Sequence, residues 1–226
     1  YPVGGFWSWR YKGLTHEEGL PIFDYDGGAG YTNAEMKEDP SKFLVYSGRT
    51  NPIATGGLTT RLTWKQFMLR ASFAYNLGSK VRIRPVYSSS LALNVPEYYE
   101  NVTSKFVTHW RKPGDEKITD NPGFLRPGKS AMYDHPGGSE SFYTMWDNSD
   151  FRVVSGDFLR CRSVGLSYTL PQKIVSKWGM RGVMLELSGN DLFLIKSRKL
   201  SKQDPETSSS EIPRLPSYNF TLNISL

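Results

Sequence analysis

The chain has 226 residues, a formal charge of +6 and one cysteine, Cys161, which excludes an intrachain disulfide framework and leaves no Cys/His cluster with zinc spacing. Its charges are scattered and no helix carries a basic stripe, so they read as a solvated surface and argue against nucleic acid as a partner. Aromatic residues at 14%, with 21 Gly and 14 Pro, favour strands and turns over helices.

No stretch approaches the roughly 18 apolar residues of a membrane-crossing helix. A barrel strand needs only about 9 to 11 alternating residues, so a mean hydropathy of −0.47 does not exclude the membrane.

Residues 1–56 read as a loop and strand region. Within it, DYDGGAG spaces Asp24 and Asp26 like the start of a calcium loop, with Glu35 at the twelfth position. Gly28 and Ala29 stand where the fifth ligand and the turn glycine belong, so no metal is expected and a turn is the better reading. Residues 57–84 read as a hairpin. Leu58, Thr60, Leu62 and Trp64 alternate with Thr59, Arg61 and Thr63, and after a tight turn at Lys65 and Gln66 a second strand runs over 67–84. In that strand Phe67, Leu69, Ala71, Phe73, Tyr75 and Leu77 face one way.

Residues 85–156 read as a long irregular loop, rich in Pro, Gly, Ser, Asn and Asp, with rings at Tyr98, Tyr99, Trp110, Tyr133, Phe142, Tyr143 and Trp146. Three strands then follow over 157–170, 181–195 and 217–226. In the first, Val164, Leu166, Tyr168 and Leu170 alternate with small polar residues up to Pro171. The second carries Val183, Leu185 and Leu187 on one side. The last alternates without a break: Tyr218, Phe220, Leu222, Ile224 and Leu226 against Asn219, Thr221, Asn223 and Ser225. Strands with one apolar and one polar face are what a barrel wall between lipid and a wet lumen requires. Five such strands cannot stand alone, because the first and last would expose unpaired edges to lipid.

Several stretches, in this order, resemble the C-terminal region of SusC/RagA-like TonB-linked outer-membrane transporters of Bacteroidota. They are YKGLTHEEGLPIFDYDGGAG, SGRTNPIATGGLTTRLTWKQFML, HWRKPGDEKITDNP, DFLRCRSVGLSYTLP, WGMRGVMLELSGNDLFLI, DPE and PSYNFTLNISL. The resemblance implies an all-β fold: the closing strands of a large transmembrane antiparallel barrel of about 22 strands, plugged internally and bearing long extracellular loops. It implies a non-enzymatic importer of oligosaccharides or peptides, working without a cofactor in the outer membrane of a Gram-negative bacterium. The partners implied are the rest of the barrel and its plug, a SusD-like surface lipoprotein, the TonB complex and outer-membrane lipids. The absence of a leader and plug implies a C-terminal part of something longer, and Leu226 stands where the family places a terminal Phe.

These readings assign residues. Leu62, Leu69, Phe73, Leu166, Leu185, Phe220 and Leu222 are expected to face lipid; Arg61, Arg70, Ser167, Glu186 and Asn223 are expected to face the lumen. Glu186 is expected to pair with a cation, Arg70 or one from the plug. Trp110, Tyr143 and Trp146 are candidate extracellular contacts for cargo or lid. Lys80, Arg82, Arg84, Arg160, Arg162, Lys196, Arg198 and Lys199, all near strand ends on the long-loop side, are candidates for a rim that binds anionic glycolipid.

His16, His109 and His135 lie in no nucleophile motif. The sequons at Asn101, Asn219 and Asn223 carry little weight in a bacterial chain. Two alternatives stand beside the transporter: a structural subunit built on a similar barrel, and a soluble carbohydrate-binding sandwich, which the polar second faces disfavour.

Overall fold

The computed structural model describes residues 4–24, 44–87, 104–125, 132–135, 138–207 and 214–226. The chain folds as two compact units, one from Tyr1–Thr50 with Lys80–Val154, the other from Asn51–Ser79 with Ser155–Leu226. The calcium-like segment after Asp24, and the ring pair Tyr98 and Tyr99, lie outside the described residues. What is described is all-β in its main architecture, with several antiparallel sheets.

In the first unit β1 (Gly5–Trp9), β2 (Tyr11–Leu14), β3 (Pro21–Phe23) and β4 (Leu44–Arg49) pair as β1 with β4 and β2 with β3. The second unit begins with a long hairpin. Its strands β5 (Ala54–Trp64) and β6 (Phe67–Leu77) are joined by a two-residue turn at Lys65 and Gln66. Lys65 takes a positive φ of 53° there. The strand expected over 67–84 stops at Leu77, because Gly78 turns the chain at φ 82° and donates its N–H to Asp157 Oδ1 at 2.6 Å. Residues Lys80–Arg82 form a separate strand, β7.

The expected irregular loop 85–156 is instead largely structured where it is described. It carries β8 (Met132–His135), β9 (Gly138–Ser141), helix α1 (Phe142–Asp147) and β10 (Val153–Ser155), the last paired with β7. Burial of rings explains why so polar a sequence folds. Trp9, Phe23, Val86, Tyr87, Phe106, Phe142, Tyr143, Met145 and Trp146 form one core. Tyr87 stacks on Tyr143 at 4.6 Å and meets Trp146 edge-on at 5.5 Å. Each ring of this kind removes a large apolar area from water, which offsets the poor strand propensity around it.

The second unit continues through β11 (Phe158–Thr169), helix α2 (Gln172–Val175), β12 (Gly182–Asn190), β13 (Leu194–Lys196) and β14 (Ser217–Ser225). Its sheet runs β14-β12-β11-β6-β5, every neighbour antiparallel, with β13 pairing the first residues of β11. Two local events depart from plain alternation. The pairing of β11 with β6 slips at Arg162, where Cys161 faces Phe73 but Ser163 faces Ser72. The strand expected over 181–195 breaks at Asp191, whose φ of 50° is a conformation that Asp tolerates better than most residues.

Connections between the sheet strands are unequal at the two ends. At one end lie the two-residue turn after Trp64 and the compact turn of residues 170–181, held by α2 and closed by Gly179 at φ 71°. The long excursions, from Leu77 to Phe158 and from Asn190 to Ser217, both leave from the other end.

Candidate functional site

In an antiparallel sheet, residues directly opposite one another share a face. The register therefore sorts the second unit's side chains without further assumption. Leu62 faces Leu69, Leu69 faces Leu166, Leu166 faces Leu187 and Leu187 faces Phe220, so one apolar row crosses five strands. Phe73 lies on the same face, as do the opposed pair Leu185 and Leu222. All seven residues expected to face lipid thus share one side of the sheet.

That side is bare. Leu62 is 61% exposed, Leu187 59%, Phe220 69% and Leu222 50%. Contiguous apolar patches of this extent are rare on soluble monomers and mark a surface that something covers. Aromatic rings border it. At the short-turn end Trp64 stacks near Phe67 at 6.3 Å, and Phe67 meets Tyr168 at 4.6 Å. Toward the other end stand Tyr75, Tyr218 and Phe193, the last 6.3 Å from Phe73. Also at that end, Tyr75, Leu77, Leu159 and Ile195 line a groove of about 510 Å³ with Ser155, Asp157 and Ser197 at its margin.

The opposite side is polar. Thr59 hydrogen-bonds Ser72 at 3.3 Å across β5 and β6, and Ser167 donates to the Met68 carbonyl at 3.4 Å. Arg61, Arg70, Ser167, Glu186 and Asn223 all fall here: Arg61 faces Arg70, Ser167 faces Glu186, and Asn223 faces Met184. The expected pairing of Glu186 with Arg70 is not formed. Arg70 instead reaches toward Met68, with Nη2 at 3.7 Å from Sδ. Glu186 Oε1 lies over Gly165, where an added Cβ would meet it at 3.4 Å.

The expected cationic rim needs correcting residue by residue. Arg160 is 2% exposed and lies at the centre of an acid cluster: Nη2 to Asp204 Oδ2 at 2.5 Å, Nε to Glu206 Oε2 at 2.9 Å and Nη1 to Asp191 Oδ1 at 3.6 Å. Arg162 pairs with Glu206, and Lys196 donates to the Gln203 carbonyl at 2.5 Å. Burial acts to raise the Asp204 pKa. The Glu206 N–H and the Arg160 guanidinium more than offset this and hold it below the usual carboxylate value. In the first unit Arg82 donates to the Trp7 carbonyl, Ser8 Oγ and Asn148 Oδ1, and burial lowers its pKa. The Arg84 carbonyl accepts from Arg152. Lys80, Arg198 and Lys199 alone of the eight are exposed. Carboxylates that the sequence places in a distant polar loop thus satisfy Arg160 and Arg162, while Lys196 and Arg82 bond neutral acceptors.

The three candidate ring contacts are likewise packed inside the first unit rather than presented to a ligand. Trp110 is 7% exposed, Tyr143 1% and Trp146 0%. Tyr143 donates to the Gly123 carbonyl at 2.7 Å, and burial pushes its hydroxyl pKa up to about 12. Arg152 lies over Trp146 at 4.4 Å and pairs with Asp147, whose carboxylate also accepts the Val86 and Tyr87 N–H groups at 3.0 and 3.1 Å. Trp110 sits between Gly19 and Gly123 and donates to Glu116 Oε2 at 3.4 Å. The His16 ring, 2.8 Å from Glu116 Oε1, and neighbouring N–H donors hold that carboxyl at about 2. The Trp110 slot could have been suspected from the two glycines, which sequence reading left unexplained.

No family model matches the chain. The TonB-dependent receptor P3 of Formosa agariphila is 20% identical over 202 residues, covering 84% of this chain and 17% of that protein. Among solved structures, the RagAB peptide transporter matches with a TM-score of 0.64 and 20% identity over 98% of this chain and 22% of that one. The RagAB peptide importer in its open-open state matches with a TM-score of 0.63 and 18% identity, over 99% and 23%. The chain thus spans under a quarter of the length of these proteins. Its fold is that of the matching part of these SusC/RagA-type transporters, and its sequence is distantly similar.

Proposed function

We propose that the chain is one part of the wall of a TonB-dependent outer-membrane β-barrel importer, with its apolar sheet face against lipid and its polar face lining the lumen. The observation that carries this reading is the bare apolar row from Leu62 to Phe220, backed on the other side by Arg, Ser, Thr, Asn and Glu. A soluble sandwich would cover such a face with a second apolar sheet. The ring positions fit the same reading. Phe67 and Tyr75 are eight residues apart on β6, about 27 Å along the strand, or about 20 Å vertically at a tilt of roughly 40°. That is close to the apolar band of about 25 Å that aromatic girdles flank in such barrels.

Among the described residues, both ends of the sheet order, β5 and β14, carry an unpaired edge that the remaining barrel strands would take up. Long excursions leave the sheet at one end and short turns at the other, the arrangement of extracellular loops and periplasmic turns. On this reading the long excursions are extracellular, where a SusD-like lipoprotein would partner the transporter. Oligopeptides or oligosaccharides are the cargo, consistent with RagAB being a peptide importer. Uptake of labelled oligopeptide and oligosaccharide pools by cells carrying or lacking the gene, with and without a working TonB complex, tests the proposal. Import that needs both is expected. Equal uptake in all four strains refutes transport and leaves a structural barrel.

A further inference from the structure

The two short connections of the second unit's sheet lie side by side, since the Thr169 N–H donates to the Gln66 carbonyl at 2.9 Å. Between them they carry four exposed cations, Lys65, Lys173, Lys177 and Arg181. No Asp or Glu occurs in residues 51–79, 158–185 or 217–226, which contain both turns and all of β5, β6, β11 and β14. Among the described residues no ion pair reaches any of the four. Glu186 stands five residues beyond Arg181, about 16 Å along the strand, and on the polar face. The opposite end of the sheet differs, because Arg160 and Arg162 there are met by Asp204 and Glu206.

The cationic end is also fixed and partly apolar. In the turn of residues 170–181 Val175 is fully buried, the Leu170 N–H bonds the Val183 carbonyl at 2.9 Å, and the Arg181 N–H bonds the Ser225 carbonyl at 2.8 Å. Lys173 and Lys177 are four residues apart, as are Ile174 and Trp178, so each pair lies roughly on one side of the helical segment. Ile174 is 43% exposed and Trp178 59%. In the neighbouring turn Lys65 Nζ lies 5.1 Å from the centre of the exposed Trp64 ring. Trp64 opposes Phe67 and Phe67 opposes Tyr168, two residues along from the row of Leu62, Leu69 and Leu166, so the bare apolar face runs directly into these turns.

We infer that these two turns form a docking platform for the phosphate groups of anionic glycerophospholipids, anchoring the short-turn end of the sheet to the membrane leaflet it enters. The assignment rests on the barrel reading given above. Trp rings join an apolar body to a polar N–H and sit at the level of lipid headgroups, and Lys stems lie along apolar surface while the ammonium reaches outward. Four cations without an acid repel one another, and a layer of phosphates relieves this where a zwitterionic headgroup does so far less. A soluble acidic partner would meet the charges but leave the adjoining apolar row bare.

The test uses the full-length protein, labelled with fluorotryptophan, in nanodiscs of phosphatidylcholine and phosphatidylglycerol. Trp178→Phe and Trp64→Phe assign the two fluorine resonances. One lipid or the other then carries a nitroxide on its headgroup, and the broadening of each resonance reports how often that headgroup is near. At Trp178 phosphatidylglycerol should broaden about fivefold more than phosphatidylcholine, the factor for one cation at an anionic surface. Replacing Lys173, Lys177 and Arg181 together by Gln should bring the two lipids to near parity, whereas Lys173→Arg with Lys177→Arg, which keeps the charge, should retain the preference. Broadening at Trp178 by neither lipid, or equally by both in the parent, would overturn the proposal. So would a preference that survives the Gln substitutions or is lost in the Arg variant. A Trp64 resonance broadened by neither lipid refutes the barrel reading as well. Trp64 broadened with no preference at Trp178 refutes only this assignment.

Discussion

Exchanging a single charge between two adjacent residues of β14 tests the two-faced sheet directly. Phe220 lies on the apolar face opposite Leu187, and Thr221 lies on the polar face opposite Glu186. Arg on a lipid face near mid-bilayer costs about 2 to 4 kcal/mol, so Phe220→Arg should lower the folded-to-unfolded ratio by a factor of roughly 30 to 1,000. Thr221→Arg places the same charge beside a carboxylate on the polar face, where an exposed pair contributes about 0 to 1 kcal/mol. The two variants differ by one position and carry one chemistry, so helix or strand propensity cannot separate them. Urea titration of the full-length protein in lipid vesicles, read by the heat-modifiable band shift of folded barrels, measures both. The expected result is a large loss for Phe220→Arg and parity or slight gain for Thr221→Arg. Equal losses, or a larger loss for Thr221→Arg, would refute the assignment of faces.

Three further outcomes follow from the packing. Arg160 and Asp204 are both nearly fully buried, so Asp204→Asn should destabilise the fold by about 3 to 5 kcal/mol in the same titration, leaving a guanidinium without its nearest anion. Gly19→Ala would drive a Cβ into the Trp110 ring at a φ of 64°, so a cost of about 1 to 3 kcal/mol is expected. Much of that cost should vanish in the Gly19→Ala, Trp110→Ala double variant, where the ring is gone. Glu116 has a depressed pKa of about 2, so its contribution is fully present above about pH 4.5 and is lost as pH falls toward 2. A fluorine NMR signal from labelled Trp110 should shift over that window.

Period-two alternation made the five sheet strands and their faces legible in the sequence, because one residue step exchanges sides and every buried or lipid-facing position must keep phase. The ends of those strands were less legible. Leu77 and Asn190 stop their strands through positive-φ residues at Gly78 and Asp191, which alternation alone does not report. The first unit was hidden for a different reason. Its core rings are spread from Trp9 to Trp146 among turn-forming residues, so no local window contains the partners that bury them. The acid partners of two rim arginines were hidden in the same way. Arg160 and Arg162 are visible as charges near a strand end, but Asp204 and Glu206 lie more than forty residues later in what reads as a solvated loop.

The slip at Arg162 resets the parity of β11. Residues 164, 166 and 168 point to the apolar side, and strict alternation would send 162, 160 and 158 the same way. The inserted residue reverses this: Cys161 and Leu159 take the apolar side, and Arg160 turns inward to Asp204. What matters at position 162 is therefore that the residue stays out of the ladder, leaving Cys161 and Ser163 to face the consecutive residues Phe73 and Ser72. Deleting it would join Cys161 to Ser163 in an unbroken ladder with Arg160 still on the polar side, whereas pairing residue 162 in plain alternation would turn that buried guanidinium out of its acid cluster and onto the apolar face. The bulge, and not a count of residues, decides which side of the sheet Arg160 takes.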